Sequence, residues 1–247
     1  MTKKPTLNHV KDAKAQDFKL LVSVPATQTK HLPFQLRVLD AIKKAAVGYT
    51  YDLYVGEANT LGWQYVVDQW NLLADRVVKE NYDYVLCVES DVIIPENALS
   101  HLLSLDVDVA LALVPWHNYP SHPDLQALYQ DMVCVAKFTN PDDNREPESL
   151  RFNSLKMQDV KDKVLTFKDG AVEGGTGCIL IKRRVFESGI RFICNFAYAS
   201  YDVYFWRDIR RKGFTAAIDG YVVCEHLDDV VFKDKDGNPE YENLQVI

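Results

Sequence analysis

The sequence has no long apolar run, no basic run and no paired-cysteine motif, and each absence removes a class of function. No stretch approaches the ~18 apolar residues that span a bilayer, so no membrane span is expected. The opening MTKKPTLNHVKDAKAQ is polar and lacks the apolar segment of a signal peptide. Its first 16 residues read as a loosely ordered leader. The five cysteines, Cys87, Cys134, Cys178, Cys194 and Cys224, are odd in number and form no CxxC pair. Cys87, Cys178 and Cys224 lie inside apolar strand-like runs, where a free cysteine behaves as a small hydrophobe. That usage suits a reducing compartment, so a cytoplasmic location is expected. The histidines show neither HxxxH nor HxH spacing, which excludes the common zinc motifs.

Charge of one sign is also in short supply. Lys and Arg total 28 against 35 Asp and Glu, a formal net charge of −7. A protein that binds nucleic acid nonspecifically needs excess cation to displace counterions, so no nucleic-acid partner is expected. The short clusters at 182–184 and 210–212 fall near predicted helix ends, where cations complement the backbone dipole. What the chain does have is 47% hydrophobic and 26% charged residues over 247 positions. That balance suits a globular protein with a sizeable core, in one domain of α/β type.

The order of segments predicts that architecture. Phe18–Val24, Thr50–Val55, Asp83–Val88 and Asp108–Val114 are short apolar runs of the kind that form buried parallel strands. Between them, Pro33–Ala46, Leu61–Glu80 and the stretch from Pro95 to Ser104 carry helical spacing. Strand and helix in alternation imply a mostly parallel sheet with helices on both faces. Residues 115–163 break the pattern and read either as a long excursion over the site or as a poorly ordered insertion. Order returns with Val164–Phe167, a Gly-rich turn feeding a buried strand over Gly174–Ile181, and a short helix over Arg184–Gly189. A helix over Ser200–Lys212 follows, with two short strands at Thr215–Ile218 and Tyr221–Cys224. A small antiparallel element is expected in this C-terminal half. The tail over 229–247 contains an Asp-Gly turn signal for a terminal hairpin or arm.

Glu89-Ser90-Asp91 follows the third strand. On an extended segment, side chains two apart share a side, and open α/β sheets bind ligands beyond their strands' carboxyl ends. Two carboxylates there suit Mg²⁺ or Mn²⁺, or else they begin a solvated loop. His226 ends the last apolar strand and is either a third ligand or a hydrogen-bonded surface histidine. Gly174-Gly175-Thr176-Gly177 is not GxGxxG, so it marks either close backbone approach to a ligand or a tight turn. Asp202 at a helix start is either an acid favoured by the dipole or a general base. Trp116, with His117 and Tyr119, offers either a sugar-stacking face or an ordinary cap on the strand end.

Four segments taken in order, LVSVPATQ, NYDYVLCVESDVIIPENAL, VEGGTGCILIKRRVFE and SYDVYFWRDIRRKGFTAAIDGYVVCEH, resemble the family 2-like glycosyltransferases of the GT-A fold. They span roughly residues 18–228 of the chain. The resemblance implies that Asp91 ligates a divalent ion, that Glu89 supports it or contacts the ribose, and that His226 is the third protein ligand. It places Asp202 where inverting members hold the general base. Val24, Pro25 and Ala26 would line the nucleotide pocket, with Glu57 near the base, and Ser90, Trp116, Gly174, Gly175 and Thr176 would complete the substrate contacts. The partners implied are a nucleotide-diphosphate sugar donor and a hydroxyl acceptor. Three positions depart from the family pattern: Glu89 stands for its first Asp, YVGEANT replaces DDxSxD, and Tyr201 precedes Asp202 where Glu is usual. The alternatives are a catalytically inactive sugar- or nucleotide-binding module and a sugar-phosphate nucleotidyltransferase. The latter normally has a Gly-rich loop after its first strand, and residues 25–30 contain no glycine.

Overall fold

The computed structural model describes residues 17–25, 27–28, 35–56, 58–59, 63–116, 131–138, 152–167, 171–193, 201–227, 232–233 and 239–240. The leader over 1–16 lies outside the described residues, as do Ala26, Glu57, His117, Tyr119 and Cys194.

Ten strands carry the architecture: β1 (Leu20–Val24), β2 (Tyr51–Val55), β3 (Tyr84–Val88), β4 (Val109–Leu113), β5 (Met132–Phe138), β6 (Phe152–Lys156), β7 (Val164–Thr166), β8 (Ala171–Gly174), β9 (Cys178–Lys182) and β10 (Ala216–Val223). The central sheet runs β2-β1-β3-β9-β4-β10-β7. Five of its seven strands point one way; β9 and β7 run against their neighbours. Helices α1 (Gln35–Ala45) and α3 (Ala98–Ser104) cover one face, and α2 (Trp63–Lys79), α4 (Arg183–Glu187) and α5 (Tyr201–Arg211) the other. The fold is α/β, with a mostly parallel central sheet and small antiparallel sheets beside it.

The strands are apolar on both sides because both faces are roofed. In β1, Leu20, Val22 and Val24 enter the core under α1 and α3, while Leu21 enters the core under α2. Strand β4 alternates likewise, Val109, Leu111 and Leu113 on one side and Ala110 and Ala112 on the other. Cys87 and the pair Cys178 and Cys224 are free thiols buried on opposite faces.

Two sequence expectations change here. The excursion is in part a second sheet, order β8-β5-β6, joined to the main body where Trp116 N–H donates to the Met132 carbonyl at 3.1 Å and Cys134 N–H to that of Val114 at 2.8 Å. Gly174 therefore ends β8 and belongs to this smaller sheet, while the buried central strand begins only at Cys178. The two short strands expected at 215–218 and 221–224 are one strand, β10, with a register shift between Asp219 and Val223. Asp219-Gly220 looks like a turn in sequence. In space the glycine is needed because a Cβ there would lie 2.0 Å from the Val160 carbonyl oxygen and 2.6 Å from that of Lys163. In the tail, Phe232–Lys233 pairs antiparallel with Pro239–Glu240; the Asp-Gly step itself is outside the described residues.

A buried carboxylate ties the near ends of β4 and β10 to helix α4. Asp108 is 1% exposed and accepts from Thr215 N–H and from Thr215 Oγ1, both at 2.8 Å, and from Arg184 Nε. Burial is the largest influence on its carboxyl and pushes it up, but the Arg184 and Thr215 hydrogen bonds outweigh it and hold the group below the ordinary value. A carboxyl depressed in the folded state contributes stability above its unfolded pKa of about 3.9, lost as pH falls through the folded value. Melting temperature should therefore drop below about pH 4, with a shallower drop in Asp108→Asn, which starts from a lower plateau. Thermal melts across that pH range check this, and parallel curves for the two proteins would remove the assignment.

Candidate active site

Parallel strands end together, so β3, β4 and β10 deliver Glu89, Trp116 and His226 to one rim of the sheet. The antiparallel β9 begins at the same rim and brings Thr176 and Gly177 with it. Val92–Ile93 pairs with Glu225–His226, placing His226 opposite Val92, and Leu227 N–H donates to the Asp91 carbonyl at 2.7 Å. Residues far apart in sequence are thus fixed in register across one short ladder.

Asp91 is 6% exposed, and its Oδ2 lies 3.7 Å from His226 Nε2. His226 Nδ1 is 2.8 Å from the Pro115 carbonyl oxygen. A carbonyl only accepts, so Nδ1 carries a proton and Nε2 is the atom that faces the carboxylate. Burial is the largest influence on the ring and lowers its pKa. The facing Asp91 carboxylate, the Pro115 carbonyl and the Glu89 charge together reverse this and raise it above the ordinary 6.5.

Glu89 has different partners. The expected extended segment is a turn: Val92 N–H donates to the Glu89 carbonyl at 3.1 Å. Alternation by two therefore does not govern which way Glu89 and Asp91 face. Glu89 Oε1 accepts from Thr176 Oγ1 at 2.7 Å and from Tyr201 OH at 3.2 Å. Its carboxyl is raised, first by burial and then by the Asp91 charge, with Asp202 adding to the effect and the Thr176 bond and His226 opposing it. Asp202 lies in the first turn of α5, where its Oδ1 accepts Val203 N–H at 2.9 Å. Its negative charge also raises Tyr201 and Cys134, after burial and Glu89, so it stands on the same side of the rim.

The Gly-rich segment has a structural explanation. A Cβ on Gly174 would lie 1.9 Å from Leu111 Cδ2, one on Gly175 3.3 Å from Cys134 Cβ, and one on Gly177 3.0 Å from Val114 Cγ2. None of the three has a positive φ, so this is not the left-handed turn that glycine alone tolerates. The close approach is made by the protein's own side chains. Val24 and Pro25 are both buried at the exit of β1, and the Val24 carbonyl accepts Gly56 N–H at 2.7 Å. Ser90 is 5% exposed within the turn, and Trp116 is half-buried beside β5. Tyr201 entered the sequence reading only as a departure beside Asp202, with no role of its own, because nothing in an apolar helix face marks one tyrosine as reaching a carboxylate.

Among the described residues, no three His, Cys, Asp or Glu side chains are arranged as a ligand set. The Asp91 and His226 pair nonetheless suits a divalent ion: a carboxylate oxygen and an imidazole nitrogen face each other, and the ring's other nitrogen is anchored on a carbonyl, as in metal-ligating histidines generally. An ion held there would need Nε2 in its unprotonated form.

No protein-family model and no curated protein sequence matches the chain. Among solved structures it is similar to A197 from STIV, with 13% identity over 93% of this chain and 96% of that one and a TM-score of 0.45. It is also similar to TarS of S. aureus, with 11% identity over 85% of this chain and a TM-score of 0.45; the match takes in 36% of TarS, so the chain spans about a third of that protein's length. A third is the inositol-1-phosphate CTP transferase from T. maritima, with 10% identity over 88% and 92% of the two chains and a TM-score of 0.40.

Proposed function

We propose that the chain is a GT-A-type glycosyltransferase that moves a sugar from a nucleotide-diphosphate donor to a hydroxyl acceptor with inversion, aided by Mn²⁺ or Mg²⁺. The observation that carries the reading is the meeting of Asp91 and His226, with Glu89 and Asp202 at the same rim. Asp91 Oδ2 and His226 Nε2 would hold the ion, which supplies positive charge to the diphosphate leaving group when bound.

The chain's own residues account for the rest. The Pro115 carbonyl keeps the His226 ring oriented, and the Val92–Ile93 ladder keeps Asp91 and His226 in register. Asp202 takes the proton of the acceptor hydroxyl as that oxygen bonds to the anomeric carbon. The bond from that carbon to the diphosphate oxygen breaks on the opposite face, and the electron pair leaves with the nucleotide diphosphate. No helix among the described residues is long and apolar enough to cross a membrane.

A pure binding module is the second reading, and one observation favours it: the Asp91 carboxylate and the His226 ring already face each other at 3.7 Å, with the ring held by the Pro115 carbonyl. Release of nucleotide diphosphate from a panel of nucleotide sugars, with Mn²⁺ and then with EDTA, separates the two. Metal-dependent release with one donor supports the transferase. Ligand binding with no release from any donor supports the module.

A further inference from the structure

One oxygen of Glu89 is the meeting point of three elements. Glu89 leaves β3, Thr176 precedes β9 and Tyr201 is the first residue of α5. Besides reaching Glu89 Oε1, the two hydroxyls are 3.0 Å from each other. Thr176 is 2% and Tyr201 6% exposed, so neither hydroxyl has bulk water as an easy substitute partner. The Tyr201 ring is packed edge-on against Phe192 at 6.0 Å, which limits how far the phenol can swing. Asp91, by contrast, meets His226 on the ladder beyond the turn.

We infer that Glu89 serves as the fixed post of a hydrogen-bonded clamp, outside the ion's ligand set, and that Tyr201 is a positioning residue whose phenol holds the first turn of α5, and with it Asp202, against the exit of β3. Two O–H dipoles already point at Oε1, and an ion on that oxygen has to displace them. The phenol replaces the carboxylate found next to the base in the family this chain resembles. It grips the strand by a neutral group, without adding a third negative charge beside Glu89 and Asp202. The inference rests on the metal-site reading above, and the test separates the two.

Mn²⁺ alone is titrated by electron paramagnetic resonance into the full chain and its Glu89→Gln, Asp91→Asn and Tyr201→Phe variants. Asp91→Asn should weaken binding by about tenfold or more, and Glu89→Gln by less than about threefold, below the usual range for a disturbed ligand shell. Thermal melts in EDTA form the second arm. Tyr201→Phe and Glu89→Leu, which has no acceptor, should each lower the melting temperature, and the double variant should fall no further than the larger single, because both remove the same bond. Thr176→Ser keeps the hydroxyl and should match the wild type, whereas Thr176→Val should not. With the donor found by nucleotide release, Tyr201→Phe should lower kcat and leave KM unchanged.

A tenfold loss of Mn²⁺ affinity in Glu89→Gln, additive melts, or a change in KM alone would overturn the inference. If Asp91→Asn leaves Mn²⁺ binding unchanged while the melts couple, the metal-site reading falls and the clamp stands.

Discussion

Asp202→Asn should lose about 10²–10⁴ in turnover while still binding the donor, the usual worth of a positioned general base. That is ~3–5 kcal/mol of transition-state stabilisation, at 1.36 kcal/mol per factor of ten. The substitution is nearly isosteric, and the amide oxygen can still accept the Val203 N–H that Asp202 holds at 2.9 Å, so the first turn of α5 should persist. Removing the negative charge also relieves Glu89, whose carboxyl Asp202 pushes up, so folding should not suffer. Steady-state release of nucleotide diphosphate, with donor affinity measured separately, reads the two effects apart. Turnover near the wild-type value would take the base role from Asp202. A parallel loss of donor affinity would make it a binding residue instead.

Asp91→Ala should abolish metal-dependent stabilisation by a nucleotide diphosphate. For the wild type, a ligand at 100 times its Kd adds roughly 2.7 kcal/mol. For a chain of this size each kcal/mol moves the melting temperature by about 2–4 °C, so a shift of ~5–10 °C is expected with Mn²⁺ and little without it. The variant's own baseline will move as well, because Asp91 is buried against His226 and removing it leaves the ring without the carboxylate it faces. The quantity that matters is therefore the nucleotide-induced shift in each protein, measured with metal and with EDTA. His226→Gln should lose most of the same shift. If the nucleotide stabilises Asp91→Ala and the wild type equally, the metal reading has lost its central residue, whatever the turnover assays report.

Much of the fold was legible because burial on both faces leaves a plain trace in the chain. FKLLVSV, DYVLCV and DVALALV read as strands since each side of the sheet is roofed by helices. Trp70, Leu73 and Val77 read as one helix face for the same reason. The excursion was less legible because short antiparallel strands depend on partners distant in sequence: β5 pairs with β8 and β6, and none of the three repeats a pattern long enough to stand out. The single strand β10 was read as two because an Asp-Gly step carries the same letters whether it turns the chain or admits a neighbouring backbone.

At the site, local sequence placed Glu89, Asp91 and His226 at strand ends, and that position is a one-dimensional property. Asp202 at a helix start was legible on the same terms. Which of these groups face one another is set elsewhere. The turn at 89–92 sends Glu89 to Thr176 and Tyr201, while the ladder at 92–93 and 225–226 brings Asp91 to His226. Strand ends and helix starts are written in runs of neighbouring residues, whose burial period the chain must carry locally. Partner choice for a carboxylate depends on sheet order and on which strands share a rim, and those arise from contacts between segments that no local run encodes.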